Sequence, residues 1–319
     1  MNEKIKHFIQ NSPLVRSKEE EFNGDKVFVI KYKNKVFYDN LWTPELQMLR
    51  GVVLDKDYNI ITNPFIKVFN YQERDTVIPL HHRVLAVQKI NGFMAACSFY
   101  KGKLIVSTSG TISSEYADMA RKWLEPHEVY LKEISTRIGS DYPSFIFEIC
   151  DPSDPHIVYE NPGVYLLGMR VPVWDSPQNV ISQFHLDKIA NEMHVMRPYW
   201  RTYQKFSDLL EELKDCKHEG YMVYDIGGNK PSHYYDQPEP IYGSLKLKSP
   251  FYLTVKFLGR ISDKRIEGLF EDPEKFKKNI DEEFYKIVDF IVDNKDKFLS
   301  KIKQERILYI REYFLNEKS

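Results

Sequence analysis

The apolar run Val84-Leu85-Ala86-Val87 leads, through Gln88, into Lys89-Ile90-Asn91-Gly92. A lysine at a strand end before a glycine turn projects its amine into a cleft, and a neutral amine is a good nucleophile. Alone the tetrapeptide says little, because K-x-x-G recurs by chance and a surface hairpin lysine reads the same way. Two carboxylates and two cations follow it. Glu148 closes the apolar strand Phe145-Ile146-Phe147, and Glu219-Gly220 opens the strand Tyr221–Tyr224. Lys246 and Lys248 flank Leu247, so on a strand both cations point to one face. Strand-end glutamates are usually solvated, and a K-x-K strand is usually the wet face of a sheet. Their joint order is harder to dismiss.

The elements that position these residues are mostly short, β-branched or aromatic strands separated by turn residues. Lys26–Tyr32, Val84–Lys89, Met94–Tyr100, Leu104–Thr108, Phe145–Cys150, Tyr165–Val171, Tyr221–Tyr224 and Ser244–Lys248 all read as strands. Turns fall at Asn91-Gly92, Lys101-Gly102 and Gly227-Gly228-Asn229. Helical periodicity appears at Ser114–Leu124, Ser182–Met193 and Phe206–Lys214. After Phe257 the pattern is helical throughout. Asp272-Pro273 reads as an N-cap with a first-turn proline. Phe276, Ile280, Phe284, Ile287 and Ile291 then recur at helical spacing, followed by a second stretch with Phe298, Ile302, Tyr309 and Tyr313. Many strands with few crossover helices predict an α+β fold, mainly antiparallel β-sheets with flanking helices, plus a small all-α C-terminal domain. The expected division is residues 1–256 and 257–319.

Composition narrows the class without naming it. The 319 residues are 42% hydrophobic and 29% charged, with 21 Tyr, 20 Phe and a net charge of −1. That is not the strongly basic body of a passive nucleic-acid binder, although a local basic groove remains compatible with it. Cys97, Cys150 and Cys216 lack metal-site spacing and read as reduced structural thiols. His81-His82 does not suit joint metal ligation, since neighbours on a strand face opposite sides. No run approaches the roughly 20 apolar residues of a membrane span, and the N-terminus lacks a signal peptide's apolar core. A soluble, cytoplasmic, monomeric protein is expected.

As an ordered set the motifs resemble the covalent nucleotidyltransferases, the superfamily of ATP-dependent ligases and capping enzymes. KING at 89–92, FIFE at 145–148, HEGYMV at 218–223 and LKLK at 245–248 stand in that superfamily's order. The resemblance sharpens to the phage (T-even type) RNA ligase 1 family over residues 26 to 256. It is carried by Arg50-Gly51-Val52, Ile66-Lys67-Val68-Phe69-Asn70, the stretch 107–120, Tyr165–Arg170 and Lys248-Ser249-Pro250-Phe251-Tyr252. Two positions depart from the family. Asn91 stands where many relatives have Asp, and Ser109 where the phage enzymes carry a lysine.

The resemblance implies an ATP-grasp-like ligase domain and an ATP-dependent RNA ligase. Lys89 would attack the ATP α-phosphorus, AMP would pass to an RNA 5′-phosphate, and a 3′-hydroxyl would displace AMP to seal the strand. By the same resemblance Arg50 and Lys67 contact the ATP phosphates. Glu219 organises Mg²⁺ (or Mn²⁺), and Glu148 binds the ribose or assists the metal. Tyr32 borders the nucleotide pocket, with an ordinary strand tyrosine equally open. RNA repair, especially of nicked tRNA, is the family-level expectation. Since lysine's reference pKa is about 10.4, burial or nearby cations such as Lys246, Lys248 or Mg²⁺ are expected to depress that of Lys89. A DNA ligase or capping enzyme would append an OB-fold, seen as further strands after K-x-K. A silent RNA-binding relative would need no nucleophile.

Overall fold

The structure, a computed structural model, describes residues 3–138, 143–154, 156–174, 182–228, 241–280 and 282–316. Twelve strands are present among them. The first seven are β1 (Val15–Phe22), β2 (Asp25–Tyr32), β3 (Arg50–Asp55), β4 (Ile60–Thr62), β5 (Arg83–Gln88), β6 (Phe93–Tyr100) and β7 (Lys103–Ser107). The others are β8 (Ser144–Cys150), β9 (Gly163–Arg170), β10 (Trp200–Tyr203), β11 (Gly220–Gly227) and β12 (Gly243–Lys248). They form three four-stranded sheets with orders β1-β2-β3-β4, β10-β5-β11-β12 and β7-β6-β8-β9. Every ladder is antiparallel. This is the α+β architecture expected.

Each sheet buries one face against helices. The third sheet packs Phe145, Phe147 and Val106 against the helices Glu115–Leu124, Glu128–Ile138 and Gln183–Met193. Phe145 and Phe147 are fully buried, each contributing roughly 1.5–3 kcal/mol, which anchors the strand carrying Glu148. The second sheet packs Val84, Val223, Leu245 and Leu247 against the helix Phe206–Leu213. On β12 the leucines thus face the core while Lys246 and Lys248 share the opposite face. The first sheet meets the third through Val27, Val29, Val53 and Ile61 against Tyr100 and Ile105.

The C-terminal segment is helical but not as two long amphipathic helices. Asp272 caps the short helix Pro273–Lys277 by accepting from Lys275 N–H. That helix ends at Lys277, and a 3-10 turn at Glu282–Phe284 leads into Tyr285–Asp293, Lys295–Leu299 and Lys303–Asn316. Phe284, Ile287, Ile291, Phe298 and Ile310 form a separate core with Phe257 and Leu258. The helix Pro250–Arg260 supplies those last two residues and runs without interruption across position 256. No helix among the described residues is long and apolar enough to cross a membrane.

Candidate active site

Lys89 sits at a joint. β5 belongs to the second sheet and β6 to the third, and the Lys89–Gly92 loop is the link between them. Its backbone is fixed to both: Lys89 N–H donates to Gly220 O at 2.9 Å, and Gly92 N–H donates to the Glu148 carboxylate at 3.1 Å. Gly92 is required here by close approach. A Cβ at that position would lie 2.3 Å from Ile149 O and 3.0 Å from Cys150 Sγ. Gly92→Ala should therefore push the loop off β8, costing about 1–3 kcal/mol as overpacking does. The expected result is a lower Tm, measured by thermal unfolding.

The amine is held by one carboxylate and lies in the field of a second. Lys89 Nζ lies 3.0 Å from Glu219 Oε1. Glu219 and Glu148 are 2% and 7% exposed, so these are near-desolvated charges that need partners. Glu219 is held in turn by Ser249, whose N–H donates to Glu219 O at 3.0 Å and whose hydroxyl donates to His218 O at 2.6 Å. Gly220 follows with φ +124° and a Cβ position 2.0 Å from Leu247 O. Only glycine lets β11 start there beside β12. Glu148 lies inside β8 rather than at its end, since the strand continues through Ile149 and Cys150.

Cations converge from the first and second sheets and from the segment that joins β4 to β5. Arg50 begins β3, and Lys246 and Lys248 lie on β12. Lys67 is tied in through its segment: Lys246 N–H donates to Phe69 O and Tyr71 N–H to Lys246 O, both at 2.8 Å. The Lys67 ammonium stands 4.9 Å from the Phe69 ring centroid and 5.5 Å from that of Trp42, with Glu73 4.0 Å away. Tyr32 packs edge-on to Trp42 at 4.6 Å, within the influence of Arg50. Lys248 extends over the Tyr252 ring at 5.5 Å. A cavity of about 530 Å³ opens beside Lys246 and Lys248 and is lined also by Glu282, Tyr285 and Lys286.

The electrostatics overturn one expectation. Burial pulls the Lys89 pKa down, but Glu219 and Glu148 outweigh it and hold the ammonium above the ordinary lysine range. It is Lys246 whose pKa falls well below that range, through burial first and then Arg50, Lys67, Lys89 and Lys248. Lys67 is lowered as well, again mainly by burial. Burial raises Glu148, against the pull of Lys89.

Sequence reasoning missed Glu160. It lies in the loop after β8, where no periodicity marks it, and its carboxylate accepts from Asn91 N–H at 3.2 Å. Burial raises its pKa, with Glu219 and Glu148 adding to the effect. Asn91 proves to be more than a lost carboxylate. It is 7% exposed, donates from Nδ2 to Glu219 Oε2 at 2.6 Å, and accepts at Oδ1 from Val158 N–H at 3.0 Å. An aspartate there would set a second carboxylate against Glu219. Asn91→Ala should leave the Val158 N–H and one Glu219 oxygen unmatched, at about 1–3 kcal/mol for each buried group. A denaturant melt of that variant should show the midpoint falling with an unchanged slope.

The other singled-out residues lie elsewhere. His81 and His82 stack edge-to-face in the turn before β5 rather than on a strand, and His82 Nδ1 pairs with Asp225 at 3.0 Å. The cysteines are free thiols, all buried. Burial pushes Cys150 up to about 12. Arg170 is buried and donates to Asn63 Oδ1 and Pro64 O, a structural tie between sheets. Gly227 ends β11, whereas Asn229 lies outside the described residues.

A family model described as RNA ligase matches residues 48–257, about two thirds of the chain. The protein belongs to the RNA ligase family. Two forms of an archaeal ATP-dependent RNA ligase share the fold, at 16% and 13% identity and a TM-score of 0.57 each. Both alignments cover 99% of this ligase and 77% of the archaeal chain. A candidate ATP-dependent DNA ligase from Aquifex aeolicus aligns as well, with 13% identity, TM-score 0.57, and 99% and 79% covered. At such identities the likeness is one of fold. No curated protein matches the ligase by sequence. The matched segment spans Arg50, Lys67, Lys89, Glu148, Glu219, Lys246 and Lys248, so the family assignment and the cleft fall on the same residues.

Proposed function

We propose that the ligase is ATP-dependent and joins RNA 5′-phosphate and 3′-hydroxyl ends through lysyl-AMP and RNA-adenylate intermediates, with Lys89 as nucleophile. The observation that carries this reading is the Lys89 amine at the joint of two sheets, between two buried carboxylates and four further cations. Lys89 attacks the α-phosphorus of ATP and pyrophosphate leaves. AMP passes to the 5′-phosphate, and the opposing 3′-hydroxyl then displaces it. Arg50, Lys67, Lys246 and Lys248 stabilise the phosphate charge that develops in each transfer, and Arg50 suits bidentate grip of phosphate oxygens. Tyr32 and the Trp42 edge border the nucleotide.

A divalent cation fits the donor chemistry. Among the described residues no group of three or more His, Cys, Asp or Glu side chains could hold a metal by itself. Mg²⁺ suits this arrangement, because it usually takes one or two carboxylates and completes its shell with waters and substrate phosphates. Glu219, with Glu148 assisting, would hold it, and Mn²⁺ is the alternative ion. It would supply charge neutralisation at the phosphates. Were Glu219 to hold such an ion, Lys89 would share the carboxylate that does most to keep its amine protonated.

We assign adenylyl transfer to residues 1–256 and a supporting role to the helical segment 257–319. A monomer acting on nicked tRNA in the cytoplasm is the setting we propose. Incubation with α-labelled ATP and Mg²⁺ tests the chemistry: acid-labile label on the protein is expected, and its absence would refute the reading. A sealing assay on 5′-phosphorylated RNA and DNA then separates RNA from DNA joining, with RNA expected to be preferred.

A further inference from the structure

The first sheet carries an arrangement that stability alone disfavours. Arg16 on β1 faces Lys31 on β2, and Lys31 faces Arg50 on β3, each a direct cross-strand partner. Like charges directly opposite each other destabilise an antiparallel pair, and here two such pairs run end to end. Among the described residues none of the three forms an ion pair with a carboxylate. The next cation on that face of β1 differs, since Lys18 pairs with Glu20 at 2.9 Å.

The row is kept open by what lies over it. Lys18 Nζ donates to Thr111 Oγ1 at 2.8 Å, and Glu20 accepts from Ser113 Oγ at 2.6 Å and Ile112 N–H at 3.2 Å. These bonds hold residues 111–113 against β1 and bring the preceding Ser109-Gly110 beside Lys31 and Gly51. Gly110 adjoins Lys31, whose Cδ is 3.8 Å from where a Cβ on Gly110 would stand. A Cβ on Gly51, next to Arg50, would lie 2.9 Å from the Ser109 backbone. Exposure also changes along the row. Arg50 and Lys31 are half-buried, whereas Arg16 is exposed. At about 4.8 Å per strand the row spans roughly 10 Å, from the Lys89 cleft out to solvent. Burial, then Arg16 and Arg50, lowers the Lys31 pKa, in keeping with positive charges that lack a counterion.

We propose that Arg16, Lys31 and Arg50 form a phosphate track that carries the backbone of the RNA strand out of the cleft. A nucleotide ends inside the cleft, but a polymer must leave it, and a cation row that opens to solvent suits the polymer. Phosphates seated between the three side chains relieve both repulsions at once. Such contacts position a strand without reading its bases. The proposal rests on the RNA-joining reading above and adds the path of the strand.

The test uses Arg16→Gln, Lys31→Gln and the double variant of the full chain. Two reactions are compared: lysyl-AMP formation from α-labelled ATP, and sealing of a preadenylylated RNA without ATP. In the double variant the KM for ATP should stay within two-fold of wild type, which also reports an intact fold. The KM for the preadenylylated RNA should rise about ten-fold or more. The dependence of log Kd for single-stranded RNA on log salt should flatten by about 0.7 per cation removed. Arg16→Gln alone, at an exposed position, should move the same quantities in the same direction. A raised KM for ATP with unchanged sealing would assign the row to the triphosphate and overturn the proposal. Unchanged values in both reactions would overturn it as well. A wild-type protein that forms no lysyl-AMP would instead sink the underlying reading.

Discussion

Lys89→Arg should fold as the wild type does and yet form no lysyl-AMP, a loss on the order of 10³-fold or more for a missing nucleophile. The choice of arginine matters. Glu219, 3.0 Å from the amine, and Glu148 are both buried and both act on its charge. Lys89→Ala would strand those charges, and breaking a buried pair costs about 3–5 kcal/mol. A loss of activity in the alanine variant could then reflect a damaged fold. Arginine keeps the positive charge between the carboxylates but is not deprotonated in proteins, so it cannot supply the electron pair. Both variants should fail to acquire label from α-labelled ATP, while thermal unfolding separates them: Lys89→Arg near wild type, Lys89→Ala several degrees lower. Sealing of preadenylylated RNA should survive in Lys89→Arg, because that step no longer needs the nucleophile. Label that persists in Lys89→Ala would place the reactive amine elsewhere.

Much of this cleft could be read from the chain because its residues sit on or next to elements with clear local signals. Phe145–Cys150 and Ser244–Lys248 announce themselves as strands, and Gly92 and Gly220 stand where backbones approach too closely for any side chain. What escaped the sequence depends on encounters between distant segments. β1 reads VRSKEEEF, and only Val15 is buried on it. A charged strand at a sheet edge protects against edge-to-edge pairing but gives no alternating apolar pattern to find. Glu160 comes from a loop, and its relation to Asn91 exists only once β8 and the Lys89 loop are side by side. The C-terminal periodicity continued through a break that the pattern of Phe276, Ile280 and Phe284 does not reveal. The sign of the Lys89 shift was likewise beyond reach. Counting nearby lysines suggests a depressed pKa, but the outcome turns on which carboxylates touch the amine.

Lys246→Met is expected to make the ligand-free protein more stable and the enzyme inactive. Lys246 lies among Arg50, Lys67, Lys89 and Lys248, and burial together with those four cations drives its pKa well below the ordinary value. Keeping that ammonium charged in the fold therefore costs free energy, about 1.4 kcal/mol for each unit of depression. The sign with pH follows from proton counts. Between the depressed folded pKa and the unfolded value near 10.4, the unfolded chain binds more protons, so this residue makes stability rise with pH. Below the folded pKa the full penalty is present. Methionine keeps the length of the side chain and removes the charge, so Lys246→Met should raise Tm most at lower pH and flatten the pH dependence above it. Catalysis should move the other way, because bound phosphate is what makes a cation there favourable. Losing one such contact typically costs 10²–10³-fold in rate, to be read in lysyl-AMP formation at saturating ATP. A Lys246→Met protein that was less stable than wild type at every pH would show that the cation cluster is compensated in the ligand-free fold. The opposite pairing, higher Tm with lost transfer, would mark Lys246 as a residue kept for phosphate at the expense of stability.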